Sequence, residues 1–302
     1  MSEKKVTPAG PATRRPIPIT SYDQLKQWAE AFGRGGINLL ILLGRPGLGK
    51  SRAFGEAVGP AALWVRGNAT AAGLYRSLWL HRDAPVVIDD VDGVERDPAS
   101  ARLLKCVCET EPVKELCWGS QAAFLAAESI PRAFSTQSRV CIIANQWRGR
   151  AASVLAVEDR GTLVTFDPPP GEVHARAGTW FWGQDVFDWV GEHLHLAGGR
   201  LTFRQYTRAW ELKAAGLGWQ EALLHEWGVD EKTVVVARMR ADPSFKYEED
   251  RIREFLQAGH GNRATYYRHA GKLSPLQAVP RVRLGARPPK LPEWETAILL
   301  DE

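Results

Sequence analysis

The sequence predicts an α/β chain: a parallel sheet covered by helices, followed by an all-helical C-terminal region. Three observations carry this expectation. Over residues 21–170, short apolar runs alternate with helical patterns, as they do where crossover helices join parallel strands. Beyond Pro168-Pro169-Pro170 the strand signals stop and helical periodicity takes over. Finally, Gly44, Asp89 and Asn145 each end an apolar run, which places them at the C-terminal edge of the sheet, where such folds bind ligands.

The elements follow in order. Residues 22–32 read as a short helix capped by Ser21, broken by Gly33, Gly35 and Gly36. Residues 37–43 are continuously apolar and suit a strand buried on both faces. A helix over 50–57, a strand over 62–65 and a helix over 71–81 come next. A strand over 85–90 ends in two acids, a helix covers 99–108, and 113–118 form a side strand. Apolar strands are expected at 140–144 and 163–166. Helices are then expected at 172–196, 203–215, 220–227, 231–240, 247–258 and 263–272, with Thr202 and Asp230 as N-caps. The organisation reads as a basic disordered tail (1–20), an α/β domain (21–170), a helical lid or linker (171–243), a helix-turn-helix-like segment (244–275) and a Pro/Arg-rich tail (276–302).

Composition narrows the class. At 302 residues, 44% hydrophobic and 25% charged, the chain has the make-up of a soluble globular protein with room for two domains. It contains no apolar run long enough to span a membrane, and its N-terminus lacks the apolar stretch of a signal peptide, so a cytoplasmic location is expected. The cysteines Cys106, Cys108, Cys117 and Cys141 read as reduced, packed thiols, because the Cys-x-Cys pair has no second pair at zinc-binding spacing. A net charge of +4 permits an acidic partner such as nucleic acid without requiring one. The twelve tryptophans fall mostly beside Leu and Val at helical spacing and read as core.

The chemistry centres on Gly44-Arg45-Pro46-Gly47-Leu48-Gly49-Lys50-Ser51, with Arg52 following, set between a buried strand and a helix. Glycines at this spacing let successive backbone N–H groups turn inward on phosphate oxygens, and the helix starting near Lys50 adds its positive dipole end. The Lys50 ammonium suits the β- and γ-phosphates of ATP, and the Ser51 hydroxyl suits Mg²⁺. Asp89 can hold the metal's water shell, and Asp90 can act as general base on the attacking water. One of that pair, or Asp92, could instead cap the following turn.

The loop, the acidic pair on the third strand of the domain and the polar end of the fourth resemble the AAA+ class of P-loop ATPases over about residues 21–170. The resemblance implies ATP hydrolysis in a homo-oligomer. It gives Asn145, in Val-Cys-Ile-Ile-Ala-Asn, the role of a sensor that orients water. It also makes Arg160, in the segment 156–167, a finger into the neighbouring subunit's site, with Arg132 and Arg139 as fallbacks. Two departures stand out: Asp-Asp replaces the usual Asp-Glu, as in STAND-type switch NTPases, and Arg176, Arg204 and Arg208 compete for the second sensor position.

Toward the C-terminus, residues 247–273 have the outline of a helix-turn-helix, and Arg263-Ala-Thr-Tyr-Tyr-Arg268 resembles the start of recognition helices in transposase and repressor families. On this reading Arg263, Thr265, Tyr266, Arg268 and His269 share the DNA-facing side, while Ala264, Tyr267 and Ala270 pack inward. Arg281, Arg283, Arg287 and Lys290 add basic charge to the tail. The expected function is an ATPase acting on DNA or nucleoprotein, of initiator, loader or transposition-regulator type. One alternative is a slow nucleotide switch recruiting a protein partner, and another is a DNA-binding adaptor with a relict loop.

Overall fold

The structure, a computed structural model, describes residues 15–67, 70–89, 98–119, 123–145, 152–273 and Leu284. These divide into two compact units. One comprises the segment through Ile19 with Asp23–Arg45 and Lys50–Asp167; the other comprises Thr20–Tyr22, Pro46–Gly49 and the chain from Pro168 onward.

The first unit is an α/β sandwich. Its strands are β1 (Ile17–Ile19), β2 (Leu39–Gly44), β3 (Leu63–Arg66), β4 (Val86–Asp89), β5 (Lys114–Cys117), β6 (Ala133–Thr136), β7 (Val140–Ala144) and β8 (Thr162–Phe166). Six form one sheet in the order β1-β8-β2-β7-β4-β3, with every pairing parallel. β5 and β6 pair antiparallel by themselves. The helices are α1 (Tyr22–Gly33), α2 (Lys50–Val58), α3 (Ala71–Leu80), α4 (Pro98–Val107), α5 (Ala123–Ala127) and α6 (Ala152–Arg160).

The continuous apolar runs explain the strands. Leu39 to Leu42 are all buried, as are Val86, Val87 and Ile88 and the run Val140 to Ile143. Because strand side chains alternate, Leu39 and Ile41 join Leu74, Tyr75, Leu103 and Leu104 in one core, while Leu40 and Leu42 serve the opposite face. Phe32 of α1 and Phe54 of α2 meet there with ring centroids 5.5 Å apart. At the N-terminal ends of β2 and β7, buried Lys114 donates to Asn38 Oδ1 at 2.6 Å and to the Ser138 carbonyl.

Several expectations needed correction. The tail expected through residue 20 contains β1, whose Ile17–Ile19 pair with Val164–Phe166. Pro18 is tolerated because β1 lies at the sheet edge. Of the described tryptophans only Trp227 is fully buried. The rest are half-buried, and Trp79 and Trp118 flank the sheet core instead of filling it. Cys117 is exposed, unlike buried Cys108 and Cys141.

The second unit is helical: α7 (Pro170–Ala177), α8 (Gln184–Glu192), α9 (Leu194–Ala197), α10 (Phe203–Ala214), α11 (Trp219–Glu226), α12 (Glu231–Ala241), α13 (Glu248–Gln257) and α14 (Arg263–Ala270). The single helix expected over 172–196 is therefore three. Pro169 and Pro170 open α7, since proline at the first helical position loses no hydrogen bond, and the chain between Gly178 and Gly183 interrupts it. Thr202 caps α10, its backbone N–H donating to the Gln205 side chain at 3.0 Å. Asp230 caps α12 by accepting from the Thr233 N–H at 2.8 Å. α12 does not belong to a linker: Val236 shares a small core with Ile252, Phe255, Tyr266 and Ala270, so α12, α13 and α14 form a three-helix group. Among the described residues no helix is long and apolar enough to cross a membrane.

Candidate phosphate-binding site

The sheet places the sequence-predicted residues at one edge. β7 lies between β2 and β4, so the ends of three adjacent strands carry Gly44, Asn145 and Asp89 side by side. Helix α2 starts at Lys50, directly after the glycine loop. Gly47 and Gly49 have φ of 76° and 70°, the left-handed region that an L side chain rarely adopts. A Cβ on Gly44 would stand 2.6 Å from the Phe166 carbonyl oxygen, so the strand spacing itself requires glycine there.

Lys50 is 6% exposed. Its ammonium donates to the Gly44 carbonyl at 2.7 Å, the Arg45 carbonyl at 2.8 Å and Asn145 Oδ1 at 3.2 Å. A buried ammonium needs such partners, and they fold it back over the loop. The Ser51 hydroxyl donates to Asp89 Oδ1 at 2.6 Å. This pair supplies hard oxygen donors, which fit a magnesium ion held largely by waters and phosphates. Among the described residues no group of three or more His, Cys, Asp or Glu could hold a metal alone.

The rest of the motif is occupied locally. Arg45 pairs with Asp167 at 3.2 Å, and Arg52 with Glu56 one turn on at 3.3 Å. In the helical unit, Leu48 is buried and its carbonyl accepts from the Tyr22 hydroxyl at 2.9 Å. The Phe203 N–H donates to the Gly47 carbonyl at 2.8 Å, and the Phe203 ring stacks on Tyr22. Of the three candidate second sensors, Arg204 lies against Gly47 and Arg176 lies 5.7 Å from the Tyr22 ring, while Arg208 pairs with Glu226 of α11.

Asp90 and Asp92 lie outside the described residues. Arg160 ends α6 and is turned inward on its own chain. It meets Glu109 at 3.0 Å and donates to the Lys105 carbonyl near the end of α4 at 3.1 Å. Arg139 precedes β7 and donates to the Gly33 carbonyl, at the opposite edge of the sheet from Asn145. Arg132 is exposed. One site residue escaped the sequence reading: Arg66, last in β3, sits 3.3 Å from Asp89 Oδ2.

In the three-helix group, α13 and α14 flank a turn containing Gly259 and Gly261, both at positive φ. Asn262 caps α14, accepting from the Thr265 N–H at 2.8 Å. The facing of α14 differs from expectation. Tyr266 and His269 are buried, with Ala270, whereas Tyr267 is 47% exposed and Ala264 faces solvent. Residues 266, 269, 270 and 273 form the i, i+3, i+4, i+7 stripe that packs inward. Tyr266 donates to Glu248 at 3.1 Å. His269 Nδ1 lies 2.9 Å from the Thr233 hydroxyl and 3.1 Å from Asp230, and burial lowers its pKa against the pull of Asp230. Burial also raises the Asp230 pKa, but hydrogen bonds from Lys272 and Thr233 outweigh it and hold the carboxyl at about 2. Tyr266 and His269 therefore leave the expected DNA-facing set; Thr265 is half-buried and its hydroxyl donates to Asn262 Oδ1, and Arg263, Ala264, Tyr267 and Arg268 are exposed. Arg263 is held by both oxygens of Glu249, at 2.8 and 2.6 Å.

No protein-family model matches the chain. Over 120 residues it is 29% identical to an uncharacterized 36.7 kDa protein in the nrdC-mobD intergenic region of Enterobacteria phage T4. The match spans 37% of each chain, so little more than a third of that relative is covered. Among solved structures, NtrX from Brucella abortus, in complex with ATP, is similar at a TM-score of 0.40 and 12% identity, across 86% of this chain and 69% of that one.

Proposed function

We propose that the chain is a cytoplasmic, ATP-binding and ATP-hydrolysing protein of AAA+-like type that acts on DNA or nucleoprotein. The observation that carries the reading is the paired arrangement at the sheet edge: Lys50 bonded to Asn145, and Ser51 bonded to Asp89. Four residues from two separate elements, α2 and β4, and from the segment after β7 converge on the end of one glycine loop, which a mere Gly-rich turn does not require.

In this reading the loop amides and the α2 N-terminus bind the phosphates, and Lys50 exchanges its carbonyl partners for phosphate oxygens. Ser51 and Asp89 would hold Mg²⁺, which when bound would neutralise phosphate charge. Asn145 fixes the ammonium from the adjacent strand and can direct a water. Asp90 is the proposed base. The DNA part of the reading rests on the three-helix group, with Tyr267 and Arg268 outermost on α14. The residues of a helix-turn-helix that reach base edges and phosphates are of this type.

The test is ATP binding and hydrolysis by the purified chain, with and without single- or double-stranded DNA, against Lys50→Ala. Binding and turnover that Lys50→Ala abolishes, raised by one form of DNA, are expected. Binding without turnover under every condition would replace this reading with the nucleotide switch, and absence of ATP binding would remove both.

A further inference from the structure

Arg66 and Asp89 are register partners at the last positions of β3 and β4. Arg66 Nε lies 3.3 Å from Asp89 Oδ2, yet this nitrogen is buried and makes no hydrogen bond. The contact is an ion pair without directional alignment. Asp89 Oδ1 is meanwhile taken by the Ser51 hydroxyl. The carboxylate, 13% exposed, is thus shared between a neutral donor and a cation. Arg66 is also held from its own strand, its guanidinium 4.4 Å from the Trp64 ring, two residues earlier on the same side.

We propose that Arg66 is a positioning residue that gates metal entry: it keeps a bare divalent cation off the Ser51–Asp89 pair, so that metal enters only with a polyphosphate. The inference rests on the nucleotide reading and deepens it. A lone carboxylate attracts a dication, but a guanidinium on its other oxygen cancels that charge and repels the ion. Little solvent reaches the carboxylate to screen the repulsion. A polyphosphate brings several negative charges, enough to hold the metal and to satisfy Arg66 together. An ion pair lacking hydrogen-bond alignment can shift at small cost when that charge arrives.

The experiment uses the full chain and Mn²⁺ as the spectroscopic probe, with bound ion measured by electron paramagnetic resonance. The unmodified protein should bind Mn²⁺ with a non-hydrolysable ATP analogue and show no binding to the metal alone. Arg66→Ala should bind Mn²⁺ without nucleotide, and should lower the half-saturating Mn²⁺ concentration with nucleotide at least tenfold. Arg66→Lys should restore exclusion, and Asp89→Asn added to Arg66→Ala should abolish the nucleotide-free binding. If Arg66→Ala leaves metal binding unchanged or weakens it, Arg66 merely steadies Asp89, and the inference falls while the nucleotide reading stands. If no protein binds Mn²⁺ even with the analogue, both fall.

Discussion

Lys50 and Asn145 meet across 3.2 Å, one from the start of α2 and the other from the residue after β7. Since β7 lies next to β2, the asparagine approaches the ammonium from the neighbouring strand and not from the loop itself. Removing the asparagine leaves Lys50 its two backbone carbonyl acceptors. Asn145→Ala should therefore bind ATP within about fivefold of the unmodified chain while lowering kcat by roughly 10–100-fold. Steady-state kinetics beside a fluorescent-nucleotide titration would check this. An equal loss in both would make Asn145 a binding residue.

Gly49 combines a φ of 70° with a Phe203 ring carbon 2.5 Å from where a Cβ would lie. Gly49→Ala should cost about 2–3 kcal/mol, the left-handed backbone and the overpacking adding together. Denaturant unfolding of Gly49→Ala with and without Phe203→Leu separates the two. The double variant should recover the packing part alone.

His174 is buried against Phe187, bonded to the Tyr206 hydroxyl at 2.8 Å, and burial lowers its pKa from 6.5 to about 4. The unfolded chain therefore takes up this proton first as pH falls. No penalty exists above pH 6.5. Between 6.5 and about 4 stability should decline, by on the order of 2–3 kcal/mol from this group. Burial also lowers His195 and His269, which add in the same direction. Asp230, held at about 2, acts in a lower window: its contribution is complete above the unfolded value of 3.8 and is lost below it. His174→Asn should flatten the decline between pH 6.5 and 4, read from urea midpoints at each pH. An unchanged slope would show that His174 protonates freely in the fold.

Arg160 ties the end of α6 to Glu109 and to the Lys105 carbonyl. Arg160→Ala should cost about 1 kcal/mol through the lost charge-assisted bond near the C-terminus of α4. Hydrolysis per folded molecule should persist at high protein concentration. Activity lost at every concentration, with unchanged melting temperature, would instead assign Arg160 to a neighbouring subunit's site.

On α14, Arg268→Ala should weaken DNA binding and reduce the salt dependence by about one unit of slope, while Tyr267→Ala should weaken it with the slope kept. Tyr266→Ala should instead destabilise the three-helix group by about 3–4 kcal/mol, since its ring is fully buried against Phe255. Fluorescence anisotropy across a salt series, with thermal melts, distinguishes these effects.

The sheet edge was largely legible in advance because its residues are dictated locally. Gly44, Gly47, Gly49, Lys50 and Ser51 sit in one contiguous loop, and Asp89 and Asn145 each end an apolar run. Arg66 was not legible: an arginine after three strand residues carries no motif, and its significance comes from β3 lying beside β4. The α14 error arose because Tyr266 and Tyr267 are chemically identical neighbours about 100° apart on the helix. Only Ile252, Phe255 and Val236, from two other helices, decide which turns inward. β1 was hidden by its brevity and by Pro18, which reads as tail until β8 is there to pair with it.

The parallel register of β3, β4 and β7 has a bearing on what lengths the chain tolerates. Val86 faces Val140 and Leu63, and from those origins the strands run in step until Arg66, Asp89 and Ile143 are level. The sheet thus acts as a ruler, with each chemical group set by a count of residues from a buried zero mark. Adding one residue inside β4 would leave every apolar side chain nearly as greasy as before, yet turn the Asp89 carboxylate to the opposite face. Insertions in the surface connections should be absorbed, whereas a single added residue in any of these strands should silence the site in a chain that still folds.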